Sequence, residues 1–262
     1  MTGQRIGILH PGEMGIVVAV SAQNSGNEVL WASEARSSAT RERASQAGLR
    51  DAGTVTKLCE LCAVIVSVCP PEFAEEIAEQ VAVHSYQGTY IDANAIAPER
   101  TQRIARRLEE RGAQFVDGGI IGPPTTTHSR TWLYLAGDHA NSIAPYFSSG
   151  PIEVEVLAGG IGRASALKMC FAAYSKGSVA LAYSVLAAAE RLDVLDNLKR
   201  QWNRSGPSLP ELEREISRAV PKAWRFVAEM REIAATFESA GLPPEFHQAA
   251  AEIFRRFPRD TR

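Results

Sequence analysis

Two stretches of this 262-residue chain carry residue types and spacings that could do chemistry. One is centred on Lys168, enclosed by Ala164, Ala166, Leu167, Met169, Cys170 and Phe171. An ammonium among apolar neighbours must either run its stem along the surface and deliver its charge to water, or point into a polar cavity. In a cavity, desolvation lowers its pKa towards the range useful for exchanging a proton with a substrate. That is the chemistry expected of Lys168. Lys176, more than two helical turns further on, has the simpler option of reaching solvent.

The other stretch is "RIGILHPGEMG", Arg5 to Gly15, an apolar run that breaks into a turn. A strand, a small-residue turn and a helix bring backbone N–H groups up to a pyrophosphate at the helix N-terminus. Gly12, Glu13, Met14 and Gly15 fit the second half of a GxGxxG fingerprint, while His10 stands where the first glycine belongs. A histidine is tolerated there if its backbone keeps an ordinary φ. In such a unit the second strand ends near the adenosine ribose, and here "VLWASEARSS" supplies Ser33, Glu34 and Arg36. A carboxylate favours a free 2′-hydroxyl (NAD), whereas an arginine with hydroxyl groups favours a 2′-phosphate (NADP). With Ser33 at the strand tip, NADP is the favoured cofactor and Arg36 its phosphate ligand; Glu34 leaves NAD possible.

The elements that would position these residues follow from the patterning. Short β-branched runs ("IGIL", "EVLW", "AVIVSV", "TYIDA", "AQFVDG", "TWLYLAG") alternate with segments of helical periodicity up to about residue 136. That alternation predicts an α/β fold with a parallel sheet, closed by "IEVEVLAG". After Gly162 the pattern is helical only, beginning with the proline-free "RASALKMCFAAYSKGSVALAYSVLAAAERL", a long central helix. Prolines in "RSGPSLP", at Pro221 and in "GLPPE" punctuate shorter helices after it. The expected organisation is a Rossmann dinucleotide-binding domain over residues 1–160 and an all-α domain over 161–262.

Composition removes several classes. A net charge of −2 with the two signs interspersed offers no basic face for nucleic acid. No apolar run is long enough for a membrane span, and the N-terminus lacks the form of a signal peptide, so a cytoplasmic protein is expected. Four cysteines in a chain of this length make no disulfide framework. Cys59 and Cys62 form a single CxxC without a second pair or nearby histidine, and are read as packing residues; no metal is expected.

"VSVCPPE", "DANAIAP" and "GGIGRASALK" fall into line with the opening turn, and "FVDGGIIG" and "LKMCFAAYSKG" extend the likeness over nearly the whole chain. Together these motifs resemble the β-hydroxyacid dehydrogenase superfamily of 3-hydroxyisobutyrate and 6-phosphogluconate dehydrogenases, in particular a poorly characterised 6-phosphogluconate dehydrogenase-like branch. The resemblance implies an active site between the two domains, a homodimer through the helical domain, and a small-molecule substrate. It implies that Val68, Cys69 and Pro70 line the cofactor, that Asn94 lies near the nicotinamide, and that Lys168 is the proton-transfer group. For Asn94, an Asx-type turn ahead of the helix near Pro98 is the competing reading.

Departures from the family pattern bear on the substrate. The asparagine that many members carry one turn after the lysine is Ala172 here, which leaves Tyr174 or Ser175 to supply a polar contact. The family's "SGG" aligns with Ile121-Gly122-Pro123, and its Ser-Thr pair with Asn94-Ala95, so Ile121 and Gly122 form a more apolar substrate wall. The expectation is an NADP-dependent oxidoreductase of small hydroxy or carbonyl compounds other than 3-hydroxyisobutyrate. An imine reductase on the same scaffold and a non-catalytic dinucleotide-binding sensor are the alternatives.

Overall fold

The computed structural model describes residues 3–125 and 130–257. Its elements follow in the order β1 (Arg5–Ile8), α1 (Glu13–Asn24), β2 (Glu28–Trp31), α2 (Ser38–Gln46), β3 (Arg50–Asp51), α3 (Val55–Leu61), β4 (Val64–Ser67) and α4 (Ala74–Ala82). Next come β5 (Thr89–Asp92), α5 (Pro98–Glu109), β6 (Gln114–Ile121), β7 (Thr131–Ala136), α6 (Ala140–Ile143) and β8 (Ile152–Val156). The helices α7 (Arg163–Arg191), α8 (Leu195–Arg204), α9 (Leu209–Ala219), α10 (Ala223–Ser239) and α11 (Glu245–Arg255) succeed them. The chain divides into two compact units, Met1–Lys168 and Met169–Arg262, with the division inside α7.

In the first unit eight strands form one sheet in the order β3-β2-β1-β4-β5-β6-β7-β8. Every neighbouring pair is parallel except β6 and β7, which run antiparallel. The exception corrects the expectation of a wholly parallel sheet. Only residues 122–130 separate β6 from β7, short of the dozen or more that a parallel crossover needs. The two-residue β3 was not anticipated either, being too short to carry a periodic signal.

Because successive side chains alternate across a strand, the sheet builds a core on each face. Ile6, Ile8, Val64 and Val66 join one cluster, while Ile65, Tyr90 and Phe115 join the other. Strands β4 and β5 are buried along their whole length, as a sheet covered on both faces requires. Cys62 is buried in the second cluster and Cys59 packs against it, so the CxxC serves packing. Burial pushes the Cys62 thiol up to about 12. Local chemistry agrees with the element boundaries: Ser37 caps α2 by accepting from the Thr40 N–H, Thr54 caps α3 by accepting from the Lys57 N–H, and Pro98 opens α5.

The strand order creates a crevice. From β1 the chain moves to β2 and β3 on one side, then crosses to β4, β5 and β6 on the other. Loops leaving the carboxyl ends of β1 and β4 therefore diverge, which is where open α/β sheets bind ligands.

In the second unit α10 and α11 pack through Phe226 and Phe254, whose rings meet edge to face with centroids 5.2 Å apart. Tyr183 of α7 lies over Phe257 at 4.2 Å. Helices α8 and α9 are strongly amphipathic, yet α8 has no buried residue and α9 only Ala219. With α7 they line a groove of about 490 Å³ that includes Leu186, Leu195 and Ile216. Among the described residues no helix is long and apolar enough to cross a membrane.

Lys176 does not reach solvent as its sequence position suggested. Its ammonium pairs with Glu229 of α10, the two side chains being 17% and 11% exposed, and sits 4.8 Å from the centre of the Phe226 ring. Removing one partner strands a charge that is already desolvated. Glu229→Ala is therefore expected to destabilise the protein by about 3 kcal/mol, read as a lowered urea midpoint; an unchanged midpoint would show the pair to be energetically idle.

Candidate functional site

The turn after β1 is shaped by backbone contacts. The Gly12 N–H donates to the His10 carbonyl at 2.8 Å. A Cβ on Gly15 would lie 2.1 Å from that same carbonyl, so only glycine lets α1 pack this closely on the strand end. At Gly12 a Cβ would meet nothing within 4 Å, and the surface there stays open. No side chain caps α1 at Gly12, and a first helical turn has N–H groups without intrahelical acceptors. His10 is not among the described residues of positive φ, which explains how histidine replaces the usual glycine. Of the remaining turn residues, Glu13 is exposed and Met14 packs against the first core cluster.

His10 is more enclosed than a tolerated turn residue needs to be. Burial, then the charge of Arg36, hold its imidazole down to about 4. Its Nδ1 is buried without a hydrogen-bond partner among the described residues, and so is Nε of Arg36.

Arg36 reaches this place because the loop after β2 folds tightly. Its N–H donates to the Ser33 carbonyl, with Ala35 in the left-handed region at φ 56°. Two arginines of α2 brace the loops: Arg41 donates to the carbonyls of Ser33 (2.6 Å) and Arg36 (3.3 Å), and Arg43 to that of Pro11 (3.2 Å). Ser33 is buried at the strand tip, while Glu34 is exposed and bound through its N–H to Gly53. Sequence patterning gave no sign of Arg41 or Arg43, since an arginine on a polar helix has no signature for a carbonyl one loop away.

The loops after β4 and β5 are tied by one side chain. Asn94, almost wholly buried, accepts from the Cys69 N–H at 2.7 Å and donates to Ser67 Oγ at 3.1 Å. Its own N–H donates to Asp92 Oδ1, an Asx-type turn in which the accepting side chain is that of Asp92 rather than of Asn94. Asn94 thus fixes the Val68-Cys69-Pro70 segment through its amide. Val68 leans on the first core cluster and Cys69 on the second; burial, then the nearby Asp92, raise the Cys69 thiol to about 12. Beneath it Asp92 is fully enclosed, its Oδ2 without a partner among the described residues, and burial lifts its carboxyl to about 7.

Lys168 is positioned by a residue that sequence reasoning quoted but gave no role. Asp117 of β6 turns its carboxylate onto the start of α7, accepting from the N–H groups of Gly162 and Ala164 at 2.8 Å and of Ser165 at 3.2 Å, and from Ser165 Oγ at 2.6 Å. Burial raises this carboxyl while its four donors pull it back. Ser165 is held again by Thr101 of α5, oxygen to oxygen at 2.8 Å. Gly119, two residues along β6, has no side chain, and a Cβ there would lie 2.6 Å from the Ala164 carbonyl and 3.4 Å from Cβ of Lys168. So the "DGG" of β6 seats the first turns of α7 against the sheet and leaves Lys168 half-buried at a fixed place.

Ile121 is buried at the end of β6, and Gly122 turns the chain at φ 132°, where a Cβ would lie 2.2 Å from the Arg130 carbonyl. In the second unit Ala172 is buried, Ser175 half-buried and Tyr174 82% exposed. The first unit thus gathers Gly12, Arg36, Cys69 and Asn94 on loops at the carboxyl ends of β1, β2, β4 and β5, with Lys168 seated on the adjoining β6. An open glycine, an uncapped helix start and the unpartnered nitrogens of His10 and Arg36 fit a ligand that carries phosphates.

Comparison with known proteins agrees. Residues 5–146 match the family described as the NAD binding domain of 6-phosphogluconate dehydrogenase, and residues 189–257 match a domain of unknown function, DUF1932. A conserved protein of unknown function, reported as structurally similar to 3-hydroxyacid dehydrogenases, is 26% identical with a TM-score of 0.71 over 97% of this chain and 96% of that one. The Mycobacterium tuberculosis 3-hydroxyisobutyrate dehydrogenase, solved with L-serine, is 14% identical with a TM-score of 0.74 over 98% and 94%. A reductive aminase from Aspergillus terreus, in complex with NADPH and ethyl levulinate, is 15% identical with a TM-score of 0.60 over 97% and 93%. The last two likenesses concern the fold alone.

Two stability predictions follow from the buried carboxyls. Asp117→Ala leaves four donors without their acceptor and should cost about 3 kcal/mol or more, with Asp117→Asn in between, measured by urea denaturation. Asp92 has the opposite sense: its folded pKa, about 7, lies above the unfolded value near 4. Its contribution is whole below about pH 4 and is lost as pH rises through 7. Asp92→Asn should therefore stabilise the protein more at pH 8.5 than at pH 5, by about 3 kcal/mol. An equal effect at both values would mean that Asp92 stays ionised in the folded state throughout.

Proposed function

The chain belongs to the family defined by the NAD-binding domain of 6-phosphogluconate dehydrogenase, and from that premise we propose that it is an NADP-dependent oxidoreductase of small hydroxy or carbonyl compounds, with Lys168 as its proton-transfer group. The observation that carries this reading is the seating of Lys168: Asp117 and Gly119 fix the start of α7 on β6, beside the strands whose loops form the crevice.

The bound dinucleotide supplies or accepts the hydride. Everything else falls to the chain. Lys168 donates its proton to the substrate oxygen when a carbonyl is reduced and withdraws it when an alcohol is oxidised, and its charge stabilises the oxygen as negative charge develops. Gly12, Glu13 and Met14 offer the start of α1 to the pyrophosphate. Ser33 and Arg36 address the adenosine ribose, and the absence of a carboxylate at the buried strand tip favours NADP over NAD. Asn94 holds the Val68-Cys69-Pro70 segment in place, and that segment would line the nicotinamide.

Ile121, buried at the end of β6, and Gly122 give the substrate an apolar border. Buried Ala172, where related enzymes carry an amide, favours imine reduction as the second reading. The uncovered apolar side chains Phe171, Tyr174 and Leu181 on α7 support a homodimer built through the helical region.

The test is a panel of hydroxy acids, aldehydes, keto acids and imines assayed by absorbance of the reduced nicotinamide. Lys168→Ala should bind NADPH as the parent does and lose turnover by about 10²–10⁴. Unchanged turnover would remove Lys168 from the mechanism. Tight NADPH binding without turnover across the panel would replace the enzyme with a dinucleotide-binding sensor.

A further inference from the structure

The turn after β1 and the loop after β2 each present a nitrogen that no described residue uses. Nδ1 of His10 and Nε of Arg36 are both enclosed and both lack a hydrogen-bond partner among the described residues. Their loops leave the carboxyl ends of two neighbouring parallel strands, Ile8 of β1 lying beside Trp31 of β2, and the guanidinium charge acts on the imidazole. Leaving one such group unsatisfied costs about 1–3 kcal/mol, and two on neighbouring loops mark a spot shaped for something else. Arg36 is also held there at some expense, with Ala35 in a left-handed conformation and the flanking carbonyls gripped by Arg41.

We infer that His10 is a cofactor-specificity residue, which together with Arg36 clasps the phosphate ester on the adenosine ribose of NADP(H). The inference rests on the NADP reading above and adds to it a residue that stands where such turns ordinarily have glycine. Arg36 comes from the loop after β2, the place where a Rossmann unit meets the ribose, and this selects the ribose phosphate over the pyrophosphate. Arg36 supplies the charge. His10 supplies a second donor, its Nδ1–H, from a ring kept neutral by burial and by Arg36. A neutral donor suits the position because a second cation there would repel the first. Arg43, whose guanidinium donates to the Pro11 carbonyl, holds the turn that carries His10.

The experiment is a titration of the intact protein and of His10→Gly, His10→Gln and Arg36→Ala with NADPH and, separately, NADH, reading affinity from nicotinamide fluorescence. His10→Gly restores the residue usual at this position, so the turn itself is preserved. The expected result is that His10→Gly and Arg36→Ala each bind NADPH about ten- to a hundredfold more weakly, as for a lost hydrogen bond to a charged group, while NADH affinity is unchanged. His10→Gln, which keeps a donor, should retain part of the NADPH affinity.

If the parent prefers NADPH but His10→Gly binds both dinucleotides as the parent does, the inference fails and the NADP reading stands. An equal loss for NADPH and NADH would also overturn it, assigning His10 to the pyrophosphate or to the turn. A parent that binds neither dinucleotide, or prefers NADH, would overturn the NADP reading and the inference together.

Discussion

One carboxylate, that of Asp117, joins the sheet to the long helix. It satisfies the first N–H groups of α7 and one hydroxyl from inside the core, where water is not available to do so. Burying a charge is unfavourable by itself, and here the cost is offset by four donors and by the positive end of the helix dipole. Because this bond sits one turn before Lys168, the place of that residue's backbone and Cβ is inherited from β6 rather than from the helix surface. Gly119 completes the seat by removing the side chain that would push the helix away.

The crevice obeys a related economy, in which side chains are spent on holding backbone in place. Asn94 uses its amide to join the loops after β4 and β5, and Arg41 and Arg43 use their guanidinium groups on carbonyls of the loops after β2 and β1. The loops that meet in the crevice are thereby stiffened before any ligand arrives, which lowers the ordering cost of binding. Among the described residues, His10 and Arg36 are left with buried nitrogens that no hydrogen bond uses.

Much of this was legible in the sequence, for reasons that differ from residue to residue. The strand and helix alternation, the length of α7 and the glycine at position 15 are local signals, each readable within a dozen or so residues. The role of Asp117 was not, because its partners lie more than forty residues further along the chain and a short "DGG" looks like any strand end. Lys176 was misjudged for the same reason: its counter-charge, Glu229, belongs to a helix far away in sequence. The reversal of β7 was open to calculation, since the connection is too short for a crossover, but the apolar pattern of the strand itself is identical in either direction.

The 29 residues of α7 form a continuous helix, about 43 Å long at 1.5 Å per residue. Lys168 lies near its start, and Lys176, two turns later, is locked to another helix of the second unit. Such a rod forgives exchanges of side chain but keeps strict count of its residues. One residue inserted between the two lysines would turn every later side chain by about 100° and advance it by about 1.5 Å relative to those before it. Side chains on either side of the insertion would cease to share a face of the rod, whereas substitution leaves them in register.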